Sequence, residues 1–123
     1  MKQANAQIHI ENLRLRTFIG FNESEKKNKQ DVVINAWIDY PAVEASQTDD
    51  IDKAVNYRTI CKEIIHHVET NSFLLLERLT SDVLSLCMKP SNVCSVKVKI
   101  EKPHALRFAD SVSLTLCATK DID

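Results

Sequence analysis

Val32-Val-Ile-Asn-Ala-Trp-Ile-Asp-Tyr40 decides the fold class. Val32, Ile34, Ala36, Ile38 and Tyr40 alternate with Val33, Asn35, Trp37 and Asp39. A period of two is that of a strand with one apolar face. Pro41 ends it, because proline has no amide hydrogen to extend a ladder. Upstream, Ile8, Ile10, Leu13, Leu15 and Ile19 predict another strand. Its phase slips near Glu11–Asn12, which predicts a β-bulge. The polar, charge-rich link from Phe21 to Lys29 reads as an exposed loop.

Downstream, Ala42 to Val55 is a mixed segment around Asp49, Asp50 and Asp52. Tyr57, Ile60, Cys61, Ile64, Ile65 and Val68 then recur at helical spacing, with Asn56 placed as the N-cap. By that periodicity Tyr57 belongs to the core. A break at Asn71–Ser72 leads to a second helix, striped by Leu75, Leu76, Leu79, Val83, Leu86 and Cys87 and ended by Pro90. Val96, Val98 and Ile100, then Val112, Leu114, Leu116 and Ala118, each alternate with polar residues and give two more strands. The order is strand, strand, helix, helix, strand, strand. That is one α+β domain over residues 7–119, between short tails at 1–6 and 120–123, with a four-stranded antiparallel sheet and both helices on one face. The other face carries Arg14, Arg16, Lys97, Lys99, Ser113 and Thr115. It is too polar for a second core and suits solvent or a water-filled assembly interior.

The chain has 123 residues, 44% hydrophobic and 27% charged, with a formal charge of -1. That balance lacks the basic footprint of a nucleic-acid binder. A single glycine excludes GxGxxG and GxxxxGK[ST] phosphate loops. No apolar stretch approaches a membrane span, and the polar start has no secretory pattern. Cys61, Cys87, Cys94 and Cys117 form no CxxC pair and read as buried free thiols in a reducing cytosol. No metal-spaced cluster is present; His66 and His67 are helix neighbours that do not share a face.

Several residues carry chemistry. Lys102 closes a strand and is followed by Pro103, which fixes its backbone; it is either a solvated strand end or a base. Glu77 lies among leucines; it is either an exposed helix carboxylate or a two-bond grip on an amidine-like ring edge. Tyr57 has a hydroxyl able to move a proton, and Glu25 is by default a solvated loop residue. His104 is placed for substrate contact, and His9 reads as strand surface. Arg14, Arg16 and Arg107 suit either phosphate or a paired surface.

Leu13-Arg-Leu-Arg-Thr-Phe-Ile-Gly20, Gln30-Asp-Val-Val-Ile-Asn35, Asp50-Ile-Asp52, Asn56-Tyr-Arg58, Leu75-Leu-Glu-Arg-Leu79 and Lys102-Pro-His-Ala-Leu-Arg-Phe-Ala-Asp-Ser-Val112 resemble the dihydroneopterin aldolase family. The resemblance runs from about Ile8 to Ala118. Leu-Arg-Thr-Phe-Ile-Gly and His-Ala-Leu-Arg resemble its epimerase branch; Ile19 stands where many aldolases carry histidine. The resemblance implies the tunnelling fold, a ring of four subunits that stacks into an octamer, with active sites at subunit interfaces. It implies a pterin substrate, cytoplasmic location, no cofactor and no metal. Glu77 would grip the pterin, and Lys102 would take the proton of the 2'-hydroxyl. Tyr57, from a neighbouring subunit, would move a proton at the intermediate, and Glu25 would contact the side-chain hydroxyls and tune Lys102. The implied reaction inverts C2' of 7,8-dihydroneopterin triphosphate. Its rivals are an aldolase releasing glycolaldehyde and a non-catalytic pterin-binding or barrel-forming module.

Overall fold

In the computed structural model, which describes residues 1–121, one sheet carries two long helices on one face. The last two residues of the expected 120–123 tail lie outside the described residues. The strands are β1 (Ala6–Ile19), β2 (Gln30–Tyr40), β3 (Ser72–Phe73), β4 (Ser95–Lys102) and β5 (Val112–Thr119). The helices are α1 (Glu23–Lys27), α2 (Val43–Thr48), α3 (Tyr57–Thr70) and α4 (Leu76–Met88), with a 3-10 turn at Ile51–Lys53. The sheet order is β3-β1-β2-β4-β5. Four long strands pair antiparallel. The sheet is mixed, however, because β3 pairs parallel with Phe18–Ile19 of β1.

Alternation puts Val32, Ile34, Ala36 and Ile38 of β2 and Val96, Val98 and Ile100 of β4 on the helix side, where all are buried. Ile60, Ile64 and Val68 of α3 and Leu79, Val83 and Cys87 of α4 close over them. Removing this apolar surface from water is the main stabilising term. Asn56 caps α3 as expected, its side chain accepting from the Thr59 N–H at 3.2 Å.

The expected bulge is present. Ile10 faces Ala36 and Leu13 faces Ile34, so Glu11 and Asn12 share the space opposite Asn35. Asn12 adopts φ 52°, a left-handed conformation that asparagine tolerates. Asn35 is buried and holds the bulge. Its Oδ1 accepts from the Asn12 backbone N–H at 3.0 Å, and its Nδ2 donates to Asn12 Oδ1 at 3.0 Å. His9 Nε2 lies 3.0 Å from the same Oδ1.

Four expectations need correction. The Phe21–Lys29 link contains α1, nucleated by an Asn22–Glu25 capping box that an apolar-periodicity search passes over. Tyr57 is 53% exposed rather than core, because as the first residue of α3 it precedes the turns that pack. Leu75 is also exposed: it is the N-cap of α4, in extended backbone, and does not join the stripe. Of the four free thiols only Cys87 is buried, and burial pushes it up to about 12. Cys61 and Cys94 are half-buried, and Cys117 is exposed because β5 presents it on the polar face.

Asn35→Leu should leave the Asn12 N–H without its partner inside the sheet. A cost of about 2 kcal/mol is expected, read as a lower urea midpoint at unchanged m-value. An unchanged midpoint would show that the bulge holds without the Asn35 amide.

Candidate active site

β1 ends at Ile19, and Gly20 follows with φ 126°, a conformation that favours glycine. The Gly20 N–H donates to the Phe73 carbonyl at 2.9 Å, continuing the parallel pairing with β3. That bond sets Leu74–Glu77 beside the end of β1. Asn22 then opens α1, and Glu25 folds back over Gly20. The fit is so close that a Cβ on Gly20 would collide with the Glu25 carboxyl. The Gln30 side-chain amide donates to the Ile19 carbonyl, and its closeness helps lower the Glu25 carboxyl.

Lys102 reaches this carboxylate from the far end of β4. Its Nζ donates to Glu25 Oε2 at 2.7 Å, and both side chains are largely buried, 12% and 19% exposed. This hydrogen bond holds the Glu25 carboxyl below its ordinary value of 4.5; burial opposes the shift, and the Asn22 N–H adds to it. Glu77 sits in the first turn of α4, where the helix dipole favours an anion. A cavity of about 210 Å³ brings Glu25, Lys102 and Glu77 together, walled by Ile19, Leu74 and Leu75. An ion pair at one side and a second carboxylate at another suit a flat, polar-edged heterocycle whose substituent lies against the pair.

The other expected residues lie elsewhere. Tyr57 lines a separate, mainly apolar cavity of about 460 Å³ with Ile8, Ile10 and Cys61. Arg14, Arg16 and His104 gather in a third, of about 360 Å³, together with Asp31. Asp31 takes up part of that positive charge. Its Oδ1 is 3.2 Å from Arg16 Nε, and its Oδ2 is 3.7 Å from His104 Nε2. Arg16 also donates to the Lys29 carbonyl at 3.1 Å. Arg107 stacks 5.1 Å above the ring of Phe108, which is exposed in the loop between β4 and β5. Sequence reasoning passed over Asn22, Gln30 and Asp31. The Asn-x-x-Glu spacing at Asn22–Glu25 was the available signal for the first.

A lowered carboxyl value fixes the sign of a pH effect. The stabilisation from Glu25 is complete above its unfolded value, near 4.5, and is lost as pH falls through the lower folded value. The Tm difference between the parent protein and Glu25→Gln should therefore shrink between pH 7 and pH 3. A constant difference would mean the ion pair contributes nothing. Gly20→Ala should lower Tm and make it insensitive to a further Glu25→Gln change, because the carboxylate is already displaced.

This fold has known counterparts. The sequence model of the dihydroneopterin aldolase (FolB) family matches residues 8–117. The dihydroneopterin triphosphate 2'-epimerase of Pseudomonas aeruginosa is 57% identical over 111 residues, 90% of this chain and 90% of its own. The enzyme of the same name from Escherichia coli K12 is 56% identical over 116 residues, 94% and 97% of the two chains. Among solved structures, Escherichia coli dihydroneopterin aldolase in complex with neopterin superposes with a TM-score of 0.86 at 27% identity, covering 92% of this chain and 98% of that one. The chain belongs to the dihydroneopterin aldolase family.

Proposed function

We propose that this chain is a 2'-epimerase of 7,8-dihydroneopterin triphosphate, working by retro-aldol cleavage and re-addition. The observation that carries the reading is the half-buried Lys102–Glu25 pair, 2.7 Å apart, in one cavity with Glu77. Glu77 accepts two parallel hydrogen bonds from the amino-pyrimidine edge of the pterin. That places the side chain of the substrate against the pair. Glu25 orients Lys102 through their hydrogen bond, and the Lys102 amine in its neutral form takes the proton of the 2'-hydroxyl directly or through a water. The C1'–C2' bond breaks, its electrons enter the dihydropterin ring, and the triphosphate-bearing aldehyde is freed within the site. The aldehyde turns, C1' attacks its other face, and Lys102 returns the proton. C2' is inverted and all atoms are retained, giving 7,8-dihydromonapterin triphosphate.

The aldolase reading uses the same cleavage but protonates C1' and releases the aldehyde. The relatives at 56–57% identity bear the epimerase name, whereas the aldolase bound to neopterin is 27% identical. The identities therefore favour the epimerase. A purely scaffolding module has no use for a half-buried ion pair that shares a cavity with a second carboxylate.

Tyr57 is exposed in an apolar cavity of its own, as suits a residue lent to the site of a neighbouring subunit. We accordingly take the working form to be a cytoplasmic tunnelling-fold ring of four subunits, stacked into an octamer. Within one protomer β5 pairs only with β4, which leaves its other edge for a neighbour. Arg14, Arg16 and Arg107 are the cationic candidates for the triphosphate, and His104 is a candidate for substrate contact. Arg14 stands out among them, because Asp31 already engages Arg16 and His104.

The deciding experiment incubates the protein with dihydroneopterin triphosphate, removes the phosphates and separates the pterins. Monapterin is expected as the main product; hydroxymethyl-dihydropterin as the main product would establish the aldolase. Lys102→Ala should reduce kcat at least 100-fold with a much smaller change in pterin binding. Equal losses in both would remove it from the chemistry. Glu77→Ala should weaken binding of a bare pterin at least tenfold, and unchanged affinity would refute the anchor.

A further inference from the structure

The position of Lys102 depends on Glu25, and Glu25 stands on a helix that has almost nothing to hold it. α1 is five residues long and has no fully buried residue; Glu25 is half-buried and the others are exposed. Isolated helices this short do not persist in water. Beyond the contact of its carboxyl with Gly20, hydrogen bonds fix Glu25. The Asn22 side chain accepts from the Glu25 N–H at 2.8 Å, and the Asn22 N–H lies 3.4 Å from Glu25 Oε1. At the other end the Asn28 amide donates to the Ser24 carbonyl at 3.0 Å. The two carboxylate oxygens are thus divided: Oε1 faces the cap and Oε2 accepts from Lys102 at 2.7 Å. Gly20 beneath leaves room for the carboxyl only because it has no side chain.

We propose that Asn22 is a positioning residue for the Lys102 amine, acting through the Glu25 carboxylate that its capping box holds over Gly20. The claim rests on Lys102 being the proton acceptor of the proposed reaction. When the cap is lost, α1 frays at its first turn. Glu25 then samples rotamers away from Gly20, and Lys102 loses the partner that fixes its Nζ. Glu77 and Leu74–Leu76 belong to α4 and the segment before it, and Ile19 to β1, so the ring keeps its anchor and most of its wall. The cost falls on turnover rather than on affinity. The charged groups around the Glu25 carboxyl are Lys102 from β4, Glu77 from α4 and Lys26 from its own turn.

Asn22 is exposed, so its variants leave the core intact. Asn22→Ala removes the cap and Asn22→Ser keeps one of similar strength. In the full-length protein Asn22→Ala should lower kcat about fivefold with KM within twofold, whereas Asn22→Ser should stay within twofold in both. A second readout needs no turnover: the 13C signal of the Glu25 carboxyl, followed against pH. It should titrate below the ordinary carboxylate range in the parent protein and in Asn22→Ser, and move back toward 4.5 in Asn22→Ala. An Asn22→Ala protein that loses thermal stability but keeps its kcat and its Glu25 titration would overturn the proposal and leave the cap a purely structural role. A parent protein inert toward dihydroneopterin triphosphate would instead refute the epimerase reading. The Glu25 titration alone would then decide whether Asn22 governs the carboxylate.

Discussion

One extra residue in β1 sets the rest of the structure. Before the bulge the apolar residues of this strand are even-numbered, Ile8 and Ile10; after it they are odd-numbered, Leu13, Leu15 and Ile19. In an unbroken strand one of these groups would face the wrong side of the sheet. The bulge opposite Asn35 turns both toward the helices. It therefore also sends Arg14 and Arg16 to the polar face and keeps Thr17 inside, where its hydroxyl donates to the Val68 carbonyl at 2.7 Å. That bond meets a carbonyl of the last turn of α3, which would otherwise lack a partner. The price of the device is one buried amide, and Asn35 meets it with short, paired bonds.

The same register delivers the site. Because Leu15 faces Val32 and Thr17 faces Gln30, β1 and β2 reach the top of the sheet together, at the level where β4 ends in Lys102. β3 is only two residues long, yet its pairing with Phe18 and Ile19 pulls the start of α4 alongside. The strand ends thus collect Gly20, Lys102 and, through β3, Glu77 in one place. Each is held by backbone geometry rather than by a private pocket. Glu25 is the exception, since it comes from a short helix with no fully buried residue and is held by hydrogen bonds and by its contact with Gly20.

Period-two alternation and the slip at Glu11–Asn12 made four strands and the bulge legible, because burial on one face leaves a direct mark on residue order. The Asn56 cap was legible for the same local reason. Elements defined by tertiary contact were not. β3 has no pattern of its own and exists because β1 offers it an edge. Tyr57 and Leu75 fit the helical spacing but precede the turns that pack, so periodicity misplaced both. The site was legible only as separate residues. Lys102 and Glu25 are 77 positions apart in the chain, and no spacing rule links them. Resemblance to the family supplied the pairing; the geometry supplies its reason.

The single glycine joins these two levels. Elsewhere the chain turns without glycine, using Asn12 and Asp49 at positive φ. At residue 20 those substitutes fail, because the constraint there is volume as well as backbone angle: the Glu25 carboxyl occupies the space of a side chain. Close approach of a carboxylate to bare backbone does two things at once. It shields the Lys102–Glu25 pair from water on one side, which strengthens the pair. It also fixes the height of Glu25 above the strand end without any packing of α1. A chain this small can place a half-buried charge pair at the rim of its sheet because one position in the rim has no side chain.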